Sequence, residues 1–308
     1  MDVTCVVVTR DGLRLIDEVI GHLLESADRS GLAVEVLIVD NGSGEPTASV
    51  LAKWPSLDRR VRLLVEPVRG KARGLNRAID EARGTTLVFT DDDVLVPPEW
   101  VAELTRPIRE GHAAATTSAI RVVGRERLPP PHRGLLADTG DGLGEPPHTL
   151  IGASMAIDRA VFATGLRFDP ELGPGQRGFM EESLLHLQLT DAGHVASFVG
   201  TLEVQHCIDT QRIARGAWRR RAHDQGRCEG YIRWHWSHRA VGWHDARPIA
   251  RAAWRALRCG RSAVGTDGEV PTLERLELIR LTAAALETWR EQRSPQRYSG
   301  PRSTEVEK

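Results

Sequence analysis

No apolar run in this sequence approaches the roughly 20 residues that a membrane-spanning helix needs, so no transmembrane segment is expected. The first residues, MDVTCVVVTRDG, lack a basic stretch followed by a long apolar one and run directly into a strand pattern. They do not read as a signal peptide, and a cytoplasmic protein is the expectation. Cysteine is scarce: Cys5, Cys207, Cys228 and Cys259 show no C-x-x-C spacing, which excludes a zinc ribbon and a disulfide framework and points to reduced thiols. Lysine occurs only at positions 53, 71 and 308, so nearly every cation is an arginine. The net charge is −1, so no global field draws the chain to nucleic acid or to an acidic membrane. That balance hides an asymmetry. From His206 to Lys308 there are 20 Arg/Lys against 12 Asp/Glu, a net of +8, which leaves −9 for the first 205 residues.

With 308 residues, 41% of them hydrophobic, the chain can bury one large core or two smaller ones. VTCVVVTR, AVEVLIVDNGSG, VRLLVEP and TTLVFTDDD read as β-branched, buried strands. LRLIDEVIGHLLESA, GKARGLNRAIDEARG and PPEWVAELTRPIREG carry helical periodicity between and after them. The alternation predicts an α/β fold with a mainly parallel, doubly wound sheet. Residues 124–148 are Pro/Gly-rich and read as a long loop. HVASFVGTLEVQH reads as a further strand pair. Beyond it, 209–240, 247–258 and 271–291 are candidate helices, and 294–308 reads as a disordered tail.

Ligands of such sheets bind beyond the carboxyl ends of the strands, where Thr9, Arg10, Asp40, Glu66 and Asp91–Asp93 fall. Two nucleotide motifs fail there. DNGSGEPT has Thr47 where a dinucleotide loop needs its third glycine. RGKA has Val65 and Ala72 where a phosphate-binding loop needs glycine and Ser/Thr. In VFTDDDVLVP three adjacent carboxylates close an apolar strand. A solvated capping turn is the simple reading and a hard-cation site the sharper one.

The stretches VVVTRDG, VEVLIVDNGSGEPT, RGKARGLNRAIDEARGTTLVFTDDDVLVPPEW, IGASMAIDRAVF and FMEESLLHLQLTDAGH, in this order across residues 1 to about 206, resemble the family-2 glycosyltransferases of GT-A fold. The resemblance implies a Rossmann-like GT-A domain over 1–206, with a nucleotide-binding half (about 1–95) and an acceptor half (about 96–206). A mainly helical extension would follow over 207–293. It also implies an inverting hexosyl- or related transferase that takes a nucleotide-diphosphate sugar, a UDP-sugar first, with Mn²⁺ or Mg²⁺. The acceptor would be a small molecule, a glycan, a lipid-linked glycan or a secondary metabolite.

Carried onto this chain, the resemblance makes Asp93 a metal ligand and Asp91 a ribose contact or a metal ligand, with Asp92 turned away. Asp40 would meet the base, with Thr9 and Arg10 at its edge. Lys71 and Arg73 would face phosphate or a uracil oxygen, Arg73 matching the family's basic position. Gly152, Ala153 and Ser154 would line the acceptor or sugar pocket, and His206 would reach the metal. The family's usual Glu-Asp pair is Glu181-Glu182 here, so the base position, Glu182, is one methylene longer, and Glu181 would hold the acceptor. The Q-x-x-R-W string of processive membrane synthases is not matched by QRIARGAW, which suits a non-processive enzyme.

Six of the eight tryptophans lie in the last third, in an arginine-rich setting that includes WRRRAHDQGRCEGYIRWHW. This is a helical packing surface, or a face for an anionic acceptor, a peripheral membrane contact or nucleic acid, the last disfavoured by the overall charge. Two other readings stay open: a GT-A-like nucleotidyltransferase, which TRDGLRL with its single glycine counts against, and a non-catalytic binding module. Oligomeric state is not legible.

Overall fold

The computed structural model describes residues 1–12, 14–140, 149–209, 213–259, 263–265 and 268–301. Parts of the loop expected over 124–148, of the helical extension and of the tail therefore lie outside the described residues. The chain divides into two compact units. The first comprises residues 1–123, 134–176 and 181–208; the second comprises 124–133, 177–180 and 209–308.

The first unit is built on an eight-stranded sheet. Its strands are β1 (Val3–Thr9), β2 (Val34–Asp40), β3 (Val61–Val65), β4 (Thr86–Asp91), β5 (Val94–Leu95), β6 (Ala115–Val122), β7 (Ser154–Asp158) and β8 (Ala196–His206). They run in the order β3-β2-β1-β4-β7-β6-β8-β5. The half made of β1 to β4 is wholly parallel, β7 is antiparallel to β4 and β6, and β6 and β8 are again parallel. β1 and β2 are buried along their whole length, as central parallel strands covered on both faces are.

Successive residues of β1 serve opposite layers. Val3, Cys5 and Val7 pack with α1 (Ile16–Ser30), through Ile16, Val19, Ile20 and Leu23, and with Trp100, Val101 and Leu104 of the helix Trp100–Arg109. Val6 and Val8 pack with Ala72, Leu75 and Ile79 of the helix Lys71–Glu81 and with Leu185 and Leu189 of the helix Glu181–Asp191. With α2 (Thr47–Leu57) and α6 (Arg159–Ala163) also present, these are α3 (Lys71–Glu81), α4 (Trp100–Arg109) and α7 (Glu181–Asp191). α3 approaches the sheet closely because residue 74 is glycine: a Cβ there would stand 2.6 Å from Val8 Cγ1.

The segment read as a strand pair, HVASFVGTLEVQH, is one strand, β8. Its register against β6 shifts between Ser118 and Ala119, which pair with Val199 and Glu203. An irregularity of this kind breaks the alternation that a single strand would show in sequence.

The second unit contains α5 (Pro130–Arg133), α8 (Arg215–His235), α9 (Trp243–Arg258) and α10 (Leu273–Glu291), with a short hairpin of β9 (Ala263–Gly265) and β10 (Gly268–Val270) that carries no sequence signal. Residues 294–301 are not a free tail: Ser294 O accepts from Trp234 Nε1 at 3.0 Å, and Tyr298 O is 2.9 Å from His238 Nε2. Trp218 and Tyr231 of α8, and Trp236 just beyond it, are buried, so the Arg/Trp-rich stretch is in large part a packing surface. Among the described residues, no helix is long and apolar enough to cross a membrane.

Candidate active site

The site lies within the first unit, at the carboxyl edge of its parallel strands. Register places Thr9 beside Asp40 and Val8 beside Asp91, so β1, β2 and β4 end at one level. The three aspartates then diverge. Asp91 is ion-paired with Lys71 Nζ. Asp92 Oδ2 accepts from Thr9 Oγ1 at 2.5 Å, and burial, with the charges of Asp93 and Asp91, raises its carboxyl to about 6 against the pull of that hydrogen bond. Asp93 Oδ1 lies 3.4 Å from His206 Nε2. The meeting of Asp93 and His206 follows from topology: β5 begins one residue after Asp93 and pairs Val94 with His206, and Cys207 N donates to Asp93 O at 2.8 Å.

Lys71 is the first residue of α3, and its backbone is fixed from two sides. Asn41, just past β2, donates from Nδ2 to Glu66 O (3.0 Å) and Val68 O (2.8 Å) and accepts from Gly70 N at 2.8 Å, which pins the turn into the helix. Lys71 N donates to Pro174 O at 3.0 Å. Its ammonium reaches Asp91 and stands 3.5 Å from Glu181 Oε1. Burial works against its charge, but Asp91 and then Glu181 outweigh it and hold it protonated well above the usual lysine range. Glu181 is buried at the start of α7, and Gly173, at φ +84°, makes room for it: a Cβ there would lie 3.0 Å from Glu181 Oε2. Beside it the half-buried Glu182 is raised well above the ordinary carboxylate range, first by burial and then by the charge of Glu181, with Lys71 pulling the other way. Gly152 faces this pair, since a Cβ there would be 3.6 Å from Lys71 Nζ and 3.8 Å from Glu182 Cδ.

Residues 4–166 match the glycosyl transferase family 2 model, more than half of the chain. The chain belongs to glycosyl transferase family 2. The family-2 transferase is 30% identical to the glycosyltransferase AglD of Haloferax volcanii over 112 residues, 36% of this chain and 18% of that protein. It is 32% identical to the succinoglycan biosynthesis protein ExoO of Rhizobium meliloti over 120 residues, 39% and 32% of the two chains. These matches span about a fifth to a third of those relatives' lengths. Among solved structures it is similar to the mannosyltransferase PcManGT of Pyrobaculum calidifontis in complex with GDP-Man and Mn²⁺, with a TM-score of 0.56, 18% identity, and coverage of 96% of this chain and 76% of that one. It is also similar to S. aureus TarS 1–349 in complex with UDP, with a TM-score of 0.52, 15% identity, and coverage of 97% and 93%. The fold is GT-A.

The other residues singled out from the family-2 motifs distribute unevenly. Asp40 is buried and Oδ1 accepts from Ser43 N, three residues on, at 2.8 Å, which leaves its second oxygen to other partners. Arg73 is half-buried with its Nε enclosed and, among the described residues, without a hydrogen-bond partner, and Arg10 is exposed. Ala153 and Ser154 do not reach the cluster. Ala153 O accepts from Thr90 Oγ1 at 2.8 Å, and Ser154 Oγ accepts from Trp100 Nε1 at 2.8 Å and lies 2.6 Å from Ser118 Oγ, inside the sheet. Gly173 lies outside the family-2 stretches, and Asn41 lies inside VEVLIVDNGSGEPT without a role assigned to it there. Their roles depend on which loops meet.

Among the described residues, no group of three His, Cys, Asp or Glu is placed to hold a metal ion. The pair Asp93 and His206 nevertheless fits one. Among the described residues, both ring nitrogens of buried His206 lack a hydrogen-bond partner, and Nε2 faces the Asp93 carboxylate. Mg²⁺-type cations take one or two protein ligands and complete their shell with water and substrate phosphate.

Proposed function

We propose that this family-2 transferase is a metal-dependent, inverting enzyme that moves one sugar from a nucleotide-diphosphate sugar, a UDP-sugar first, to a hydroxyl acceptor. The observation that carries the reading is the gathering of Glu182, Glu181, Lys71 and Asp91 beside the Asp93–His206 pair. The solved neighbours that hold GDP-Man with Mn²⁺, or UDP, support the donor class and the cation.

Asp93 and His206 would hold Mn²⁺ or Mg²⁺, which supplies neutralisation of the diphosphate charge as the nucleotide leaves. Asp91 faces the ribose or the same cation. Asp40, with Thr9 and Arg10 near it, meets the base. Arg73, with a buried donor that has no partner among the described residues, and the start of α3 suit phosphate. Lys71 fixes Asp91 and Glu181 while opposing excess negative charge.

Glu182 is the general base. Its carboxylate takes the proton of the acceptor hydroxyl, the oxygen forms a bond to the anomeric carbon, and the bond from that carbon to the diphosphate oxygen breaks, with its electron pair leaving on the nucleotide diphosphate. A carboxyl raised by burial is a stronger proton acceptor than an exposed one, which suits a base that must deprotonate an alcohol. Gly152 leaves room beside it for the acceptor. Glycans, lipid-linked glycans and secondary metabolites are the acceptor classes to screen.

The test is product formation with a panel of nucleotide sugars and such acceptors, for wild type and Glu182→Gln. Transfer by wild type that the variant lacks supports the assignment. Transfer at equal rates places the base elsewhere.

A further inference from the structure

We propose that α9 lies in the plane of an anionic lipid bilayer and holds the protein on its surface. The helix carries three sectors. Ala252 and Ala256 are buried. Trp243, Ala250, Trp254 and Leu257, at spacings of 7, 4 and 3, share a second strip, and all four are exposed: Trp243 by 93%, Trp254 by 58% and Leu257 by 84%. Arg247, Arg251, Arg255 and Arg258 form a third strip beside it, also exposed. Large apolar side chains this open, rimmed on one side by arginines, mark an interaction surface.

Charge complementarity selects the occupant. Asp245 is the helix's only acid and is paired with Arg233, so it neutralises none of the strip. Arg255 meets Glu277 at 3.5 Å, and Arg258 stacks on Trp254 at 4.5 Å. A tryptophan with a guanidinium over its ring is amphipathic in the way that a headgroup boundary demands. The apolar strip also borders a groove of ≈ 420 Å³ lined by Ala253, Leu257, Leu278 and Ile279 with Arg219 and Arg275. Among the described residues, the buried Nε of Arg275 has no hydrogen-bond partner. An apolar slot with a guanidinium at its wall suits an acyl chain below a phosphate, so two features of one face call for the same ligand. The arrangement is independent of the transfer reaction, since lipid binding needs no donor.

The experiment is co-sedimentation of the full chain with vesicles of phosphatidylcholine alone and of phosphatidylcholine mixed with phosphatidylglycerol. Wild type is expected to pellet with the anionic vesicles, less so as salt is raised. Arg247→Glu/Arg251→Glu weakens that partition on the order of thirtyfold or more, from the loss of two basic contacts. Trp243→Ala/Trp254→Ala removes it at unchanged charge. Quenching of wild-type tryptophan fluorescence by brominated lipid gives a readout that no variant's folding can disturb. Absence of binding to anionic vesicles at low salt overturns the proposal, as does binding or quenching that ignores vesicle charge. Self-association lost in the tryptophan variant without vesicles would assign the face to a second copy. Binding to nucleic acid but not to vesicles would assign it there. Either overturns the lipid assignment.

Discussion

Lys71, at the first turn of α3, is ion-paired with Asp91 at the end of β4, across the edge of the sheet. The pair ties the strand that carries the aspartates to the helix that faces Glu181, so Lys71→Met should do two things. It leaves carboxylates without their shared cation, at a cost of about 3 kcal/mol or more in stability, read as a lowered melting temperature. It also removes the charge that pulls Glu182 down, so the acidic limb of the rate–pH profile should move to higher pH. A profile that keeps its midpoint would separate Lys71 from Glu182.

Glu182→Gln should leave donor binding intact and lower turnover by about two to four orders of magnitude, the usual worth of a positioned base. Glu182→Asp shortens the reach by one methylene and should retain part of the rate. Single-turnover rates for the three proteins check the ordering.

The same carboxyl makes a pH prediction with a definite sign. A base works deprotonated, and Glu182 holds its proton above the ordinary carboxylate range, so kcat/KM should fall as pH drops through a midpoint above that range. Stability runs the other way. A carboxyl whose folded value is raised stabilises the fold at low pH and loses that contribution as pH rises from the unfolded value of about 4.3 through the folded one. Glu182→Gln lacks this dependence, so its melting temperature should gain on wild type with increasing pH. Thermal melts of both proteins across a pH series measure the gap.

Gly152→Ala tests the space beside the base. The added methyl would meet Lys71 and Glu182 at ordinary contact distance, at 3.6 and 3.8 Å, so the fold should tolerate it. The methyl would occupy room that the acceptor needs. An unchanged melting temperature with a raised acceptor KM is the expected result.

The parallel half of the sheet was legible because its strands are continuous β-branched runs, buried on both faces and separated by helical periods, as in VTCVVVT and VEVLIVD. The candidate residues were legible as types at strand ends, because VFTDDD and FMEES cluster carboxylates where a sheet opens. Their partners were not. Lys71 stands beside Asp91 because α3 packs on β1 through Gly74, and His206 stands beside Asp93 because β5 pairs with β8; neither pairing leaves a local pattern. Ser154 looks like a site residue in GASMAI, yet its hydroxyl turns inward to Trp100, a contact made across 54 positions. The second unit misled for a related reason. Arginine and tryptophan recur through α8 and α9 alike, and only packing separates the buried Trp218 from the open Trp243.

Asp93→Ala should lower turnover by several orders of magnitude, and its direct cause can be read without catalysis. The measurement is thermal stability against a panel of nucleotide diphosphates, with and without Mn²⁺, for wild type, Asp93→Ala and His206→Ala. A ligand at about 100 times its dissociation constant adds about 2.7 kcal/mol, a clear melting shift. A Mn²⁺-dependent shift for one nucleotide, abolished in Asp93→Ala and weakened in His206→Ala, is the predicted result. A nucleotide shift of equal size in all three proteins, or none that responds to Mn²⁺, would contradict the assignment of these two residues to the cation.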